Sequence, residues 1–200
     1  MTPVTPVGTE RQAEIVRVAY RLIAERGLEG LRFADVVREA GINNGTLLYY
    51  FASKDALIQA VGAYLVELFS DSPQPGEPGL ELDPLAQLRW EFADARDRLH
   101  SDVSVVYTEL LARSQRDPAV AAMLREIDAA WRGWLCDILE RGRESGVFRA
   151  DMDTNVVATT IMAFIRGAGI QALVQHDAAA LEPVIDALAR VTERWIVSET

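Results

Sequence analysis

Two hundred residues, half of them hydrophobic, can bury a core as one large domain or two small ones. No run of about 20 apolar residues is found at the N-terminus or elsewhere, so neither a signal peptide nor a membrane span is expected. The net charge of −10 leaves no broad basic surface for nucleic acid, and a single cysteine, Cys136, excludes an intrachain disulfide and a CxxC pair. Cys136 lies in a helical pattern beside Trp134 and Leu135 and reads as a buried, reduced thiol, in keeping with the cytoplasm.

The charge is unevenly spread. Residues 9–57 carry seven basic and seven acidic side chains and net zero, so the whole excess of acid lies in the remainder. An acidic body repels phosphate and helps to turn the neutral end towards it. Affinity for nucleic acid must then come from locally placed groups.

Apolar residues recur at helical spacing almost throughout, and strand-type alternation is scarce. Residues 1–8, MTPVTPVG, read as a flexible tail. The first helix carries Ile15, Val18, Ala19, Leu22 and Ile23 on one face and ends at Gly27. A short helix over 33–40 turns Val36, Val37 and Ala40 inward, and Gly41 makes a tight turn. Asn43 caps a third helix over 44–50, and Ser53 caps a fourth over 54–70. The stretch DSPQPGEPGLELDP, with four prolines and two glycines, is the clearest break and reads as a connector. Beyond it, five helices are expected over 84–100, 102–116, 118–145, 153–175 and 180–197, with Asp83-Pro84, Asp102, Pro118, Asp153 or Thr154, and Pro183 at their starts. The expected class is all-α, with about nine helices.

Residues 33–50, FADVVREAGINNGTLLYY, form two short helices around a glycine turn, the helix-turn-helix pattern. In that arrangement the first helix braces across the DNA backbone and the second lies in the major groove. Gly41 permits positive φ, Ala40 lets the helices approach closely, and Ile42 and Leu47 anchor the second helix. Asn44, Thr46, Tyr49 and Tyr50 are then available to DNA, although Tyr50 can also serve the core, and Phe51 is read as core.

From Ile15 to Leu57 the chain resembles the DNA-binding domain of TetR-family regulators. The features that carry the resemblance are ERG at 25–27, AGI at 40–42, Gly45-Thr46-Leu47, an aromatic pair before Phe51, and Ser53-Lys54-Asp55-Ala56-Leu57. TELLARSQRDPAV, ERGRESGVFRADMD and FIRGAGIQALV extend a looser likeness into the second half. The resemblance implies an N-terminal three-helix DNA-binding domain, drawn at 9–57, and a larger helical ligand-binding and dimerisation domain, drawn at 58–200. It implies base and phosphate contacts from Thr46 and the aromatic positions, and a phosphate contact from Lys54, the only lysine in the chain. Two positions depart from the family pattern. Leu48 stands where the family usually has Tyr, and Arg32 stands where a Thr or Ser usually begins the second helix. Leu48 cannot donate a hydrogen bond, whereas Arg32 is a poor cap and a capable phosphate ligand, so an altered operator preference is expected. The candidate DNA-contact set is Arg32, Asn43, Asn44, Gly45, Thr46, Tyr49, Tyr50 and Lys54.

The second half supplies large apolar groups for a small-molecule pocket: Trp90, Phe92, Leu99, Tyr107, Leu110, Leu111, Met123, Trp131, Trp134 and Phe164. His100, Glu109, Arg113, Asp128 and Gln171 are its candidate polar members, and aromatics beside an acid suit a cationic aromatic ligand. Plain core and structural ion pairs are the competing readings. The candidate ligand set is Trp90, Leu99, His100, Tyr107, Leu110, Leu111, Met123, Asp128, Trp131, Phe164 and Gln171. The last two helices carry the stripes Val157, Ile161, Phe164, Ala168 and Val184, Leu188, Val191, Trp195, and the resemblance implies that they form a four-helix homodimer interface.

The expected function is that of a cytoplasmic transcriptional repressor, released from a palindromic double-stranded operator by a small-molecule effector, with no membrane partner. An activator of the same family, or a helical binding module without DNA binding, is the alternative. No cofactor, metal or enzymatic activity is expected: His100 and His176 are the only histidines, and HExxH, GxSxG and a phosphate loop are missing.

Overall fold

The computed structural model describes residues 7–70 and 83–197. Residues 1–6 of the expected tail and most of the Pro/Gly-rich connector lie outside the described residues. Nine α-helices are described: α1 (Val7–Gly30), α2 (Phe33–Glu39), α3 (Asn44–Tyr50), α4 (Lys54–Ser70), α5 (Pro84–Arg98), α6 (Val103–Ser114), α7 (Pro118–Glu144), α8 (Thr154–Gln175) and α9 (Glu182–Ile196). A single 3-10 turn, Ala179–Leu181, precedes α9.

The described residues of Met1–Phe69 and Val105–Arg125 form one compact unit, and those of Ser70–Ser104 and Glu126–Thr200 form a second. In the first, Ile15, Ala19 and Ile23 of α1, Val36, Leu47, and Leu57, Val61 and Leu65 of α4 are fully buried. Gly27 breaks α1 near its end with φ 70° and ψ 169°, a conformation open to glycine and strained for other residues. The backbone N–H of Leu28, freed by that break, donates to Glu109 Oε2 at 2.7 Å. Glu109 therefore caps a helix fragment 81 residues away in sequence.

In the second unit the core is built from Leu88, Phe92 and Ala95 of α5, Leu135, Ile138 and Leu139 of α7, Val157 and Ile161 of α8, and Ile185 and Ile196 of α9. Asp83 caps α5 by accepting from Ala86 N–H at 2.9 Å, and Pro84 occupies the first turn, where its missing N–H costs nothing. Asp153 caps α8 in the same way. Cys136 is half-buried rather than buried, and its Sγ lies 3.6 Å from Asn155 Oδ1 at the start of α8. Burial first, then the charge of Glu140, raises its thiol pKa.

Among the described residues, α8 is the one helix long and apolar enough to cross a membrane by length and composition alone. The sequence scan did not anticipate this. Its apolarity has two sources: Val157, Ile161, Ala168 and Ala172 are buried, while Val156, Phe164 and Val174 stand exposed. Arg166, near its middle, is ion-paired with Asp128 of α7.

Two glycines of α7 give a paired test of packing. A Cβ at Gly142 would overlap the ring of Phe148, which is fully buried and cannot retreat. A Cβ at Gly133 would meet nothing within 4 Å. Gly142→Ala is expected to lose about 1–3 kcal/mol by overpacking, and Gly133→Ala to gain about 0.5–1 kcal/mol in helix propensity. Thermal or urea denaturation of the two variants reads both effects.

Candidate functional site

The turn between α2 and α3 follows from the sequence around Gly41. Gly41 adopts φ +62°. Its N–H donates to Arg38 O at 3.3 Å, and Ile42 N–H donates to Val37 O at 3.1 Å. This pair of bonds is the Schellman ending of a helix. Asn43 then caps α3, its Oδ1 accepting from Thr46 N–H at 2.8 Å and from the Thr46 hydroxyl at 3.2 Å. Leu47 is 0% exposed and fixes the inward face of α3.

The outward face follows from that anchor. Asn44 and Gly45 are exposed in the first turn, Thr46 is half-buried, and Leu48 is 54% and Tyr49 82% exposed. Tyr50 is half-buried and meets Tyr49 edge-on at 5.0 Å between ring centroids, while Phe51 belongs to the core. A large exposed phenol next to an exposed leucine is an unusual surface for a seven-residue helix with no partner of its own.

The cations of this unit differ in whether they are ion-paired. Arg11, Arg26 and Arg38 are paired with Glu14, Asp35, and Asp35 with Glu39. Arg32, the uncapping residue before α2, and Lys54, at the start of α4, have no ion pair among the described residues. A lysine in a first turn opposes the helix dipole, so Lys54 gains nothing there from the helix. Asn43 spends its carboxamide oxygen on the cap, which leaves its NH2 group outward.

The candidate ligand residues fall into both units. In the first, Leu110 is fully buried, Tyr107 and Met123 are half-buried, and Leu111 is exposed. Met123 packs its sulfur where a Cβ at Gly62 would stand. Glu109 is a backbone cap, and Arg113 pairs with Asp55 and Asp117.

In the second unit, Leu99 is buried, and Trp90 and Trp131 are half-buried. Phe164 is 56% exposed, Gln171 is exposed, and His100 is exposed and bonded to Glu182 at 2.8 Å. Phe164 lies at the edge of the α8 face that buries 157, 161, 168 and 172, which is why it stays exposed although it follows them at helical spacing. Asp128 is held by Arg166.

Sequence reasoning missed the polar seam between α5 and α7. Glu91 is 5% exposed and accepts from Trp131 Nε1 at 2.7 Å. Gln87, also buried, accepts from Arg141. Gln87 and Glu91 stand one helical turn apart, a spacing that could have marked them as one face. Among the described residues, no group of His, Cys, Asp or Glu is arranged to hold a metal ion.

A short helix anchored by one buried leucine, capped by Asn43, set after a glycine turn and exposing polar and aromatic groups, defines a helix-turn-helix DNA-binding protein. Residues 15–61 match the bacterial regulatory proteins of the tetR family, and residues 87–197 match the C-terminal domain of BetI-type transcriptional repressors. The chain belongs to the TetR family of DNA-binding transcriptional regulators. It is similar to the HTH-type transcriptional repressor KstR2 of Rhodococcus jostii, 29% identical over 73% of this chain and 72% of the relative. It is also similar to the HTH-type transcriptional regulator TtgR of Pseudomonas putida, 26% identical over 94% of this chain and 88% of the relative. Among solved structures, a TetR transcription regulator from Haloarcula marismortui superposes with a TM-score of 0.85 at 26% identity, covering 95% of this chain and all of that one. A transcriptional regulator from Saccharomonospora viridis, solved with choline, gives 0.80 at 26% identity over 96% of this chain and all of that one.

Burial holds the carboxyl of Glu91 up at about 7, against an ordinary 4.5, with the Trp131 bond working the other way. The folded chain therefore keeps a proton there that the unfolded chain releases. The stability linked to Glu91 is complete below about pH 4.5 and is lost as pH rises through about 7. Glu91→Gln keeps the acceptor for Trp131 and removes the titration. It is expected to flatten that decline and to be more stable than the parent at pH 8, by on the order of 3 kcal/mol at most. Melting temperatures of both proteins across this pH range check it.

Proposed function

We propose that the chain is a cytoplasmic, dimeric repressor that holds a palindromic operator through two copies of α3 and is released by a small molecule bound in its helical domain. In this reading residues 9–57 read DNA and residues 58–200 bind the effector and dimerise. The observation that carries it is the exposed face of α3, with Asn44, Leu48 and Tyr49 outward, beside the cations Arg32 before α2 and Lys54 at the start of α4, which have no ion pair among the described residues. Asn44, Gly45, Thr46, Tyr49 and Tyr50 meet the groove, Arg32 and Lys54 meet phosphates, and Asn43 contributes its free NH2 group. Leu48 offers an apolar contact where a hydroxyl is usual.

The dimer forms through the outer faces of α8 and α9. Val156, Phe164 and Val174 on one and Val184, Val191 and Trp195 on the other are exposed apolar groups at helical spacing, and such patches mark interfaces. Two-fold symmetry then sets two recognition helices on half-sites about 34–36 Å apart or a multiple of that. The choline held by the Saccharomonospora viridis relative supports a small organic effector here. Such an effector acts only if it binds the released form better than the DNA-bound form.

Selection of binding sites from random duplex DNA is expected to enrich an inverted repeat. Lys54→Ala should weaken binding evenly across sequences and lower the salt slope by about 1. Failure to enrich any site at low salt would overturn the repressor reading. Val191→Glu is expected to yield monomers in sedimentation experiments, and a persistent dimer would place the interface elsewhere.

A further inference from the structure

We propose that Leu48 determines sequence preference by covering the C5-methyl group of a thymine, so that each half-site of the operator carries a thymine at one fixed position. The inference rests on the operator-binding reading above and names the base chemistry that α3 selects.

The first observation is where apolar surface is left open. Over α1–α4, the exposed large hydrophobic side chains among the described residues are Leu48, 54% exposed, and Tyr49, 82% exposed. Both belong to α3, and the core beneath that helix is already closed by Leu47 and Phe51. A single exposed leucine is ordinary on a protein surface. This one stands on the helix that a helix-turn-helix presents to the major groove.

The second observation is the shape of α3 around that leucine. At about 100° per residue, Gly45 and Tyr49 lie opposite the buried Leu47, and Leu48 lies to one side with Asn44 a turn before it. Gly45 leaves the middle of the outward face bare. A Cβ there would stand 3.2 Å from Asn43 Oδ1, the atom that caps the helix, so the cap itself favours glycine. Bare backbone at 45 lets the helix settle close to the bases, and a leucine, shorter than a tyrosine, needs that approach to touch one.

The chemistry of duplex DNA then selects the partner. Phosphate oxygens accept hydrogen bonds, and a leucine side chain has none to donate. The sugars carry no sequence information. The groups that tell base pairs apart in the major groove are hydrogen-bond donors and acceptors, with one exception, the thymine C5-methyl. Leucine over that methyl removes two apolar surfaces from water. Over any of the other groups it shields a donor or acceptor from water and leaves it unpaired, which is unfavourable. The preference for thymine is therefore made by burial, with no hydrogen bond from residue 48.

The test uses the full chain and the operator obtained by selection from random duplex DNA. Each thymine of that operator is replaced in turn by deoxyuridine, which pairs identically and lacks only the methyl group, and affinity is read by fluorescence anisotropy at fixed salt. At one position of each half-site the exchange is expected to weaken binding about 4-fold, and in both half-sites together about 15-fold, as for the loss of one and two buried methyl groups. Leu48→Ala should melt at the temperature of the parent, keep its salt slope, and bind thymine and deoxyuridine equally at that position. Leu48→Met keeps an apolar side chain of similar reach and should keep the difference. An enriched repeat without a fixed thymine, equal affinity for thymine and deoxyuridine at every position, or a difference that Leu48→Ala leaves intact would overturn the proposal and leave the repressor reading standing. Failure to enrich any site would overturn both.

Discussion

A helix of seven residues makes too few internal hydrogen bonds to persist in water. α3 exists because Leu47 is buried beneath it and because the turn at 40–42 delivers its first residue at a fixed angle. Everything proposed for DNA contact hangs on that constraint. With Leu47 inward, the helical period places 48 and 49 outward and Asn43 at the cap. The turn depends in turn on positive φ at Gly41, so one glycine and one leucine determine which side chains a groove would meet.

Electrostatics refine the same picture. A chain of net charge −10 cannot use bulk attraction to phosphate. Four of the first unit's arginines, Arg11, Arg26, Arg38 and Arg113, are ion-paired internally, through Glu14, Asp35, Glu39, Asp55 and Asp117. Arg17, Arg21, Arg32 and Lys54 are left without an ion pair among the described residues, discrete cations rather than a basic field. Surface pairs of this kind contribute little to stability, about 0–1 kcal/mol each. Their larger effect is to decide which charges remain available. A binder built this way keeps register through a few phosphate contacts, and it should lose little to non-specific DNA.

Local signals were legible in the sequence, and long-range ones were not. Gly27, Gly41, Asn43, Ser53, Asp83-Pro84 and Asp153 act where they stand, through backbone angles and caps within three residues, so sequence reading located the helix ends. The exposed face of α3 followed from the same signals. The candidate ligand set was less legible because burial depends on partners far along the chain. Phe164 and Trp131 look alike as aromatic residues at helical spacing, yet one stands exposed and the other meets a residue 40 positions away. Glu109 was read as a candidate polar ligand group, and its bond to the Leu28 N–H spans 81 positions. Glu91 was passed over for a related reason: charge usually means surface, and its one-turn spacing from Gln87 is a weak signal beside that expectation.

The two units differ in how their buried polar groups are treated, and the difference bears on switching. Among the described residues, the buried side-chain donors without partners, Trp134 Nε1 and Arg141 Nε, both lie in the second unit, as does the buried, unpaired Glu91. In the first unit the N–H freed by the α1 break is met by Glu109 and the start of α3 by Asn43. A reading head satisfied from within has one preferred shape, which suits the fixed geometry of a groove. A seam with unmet acid and donor groups is less stable than a fully apolar or fully paired one would be, and such costs are usually retained where function uses them. A ligand that supplies the missing partners stabilises the state it binds by about 2.7 kcal/mol at one hundred times its dissociation constant. Energy of that size, applied to one of two conformations, is enough to move an equilibrium about a hundredfold.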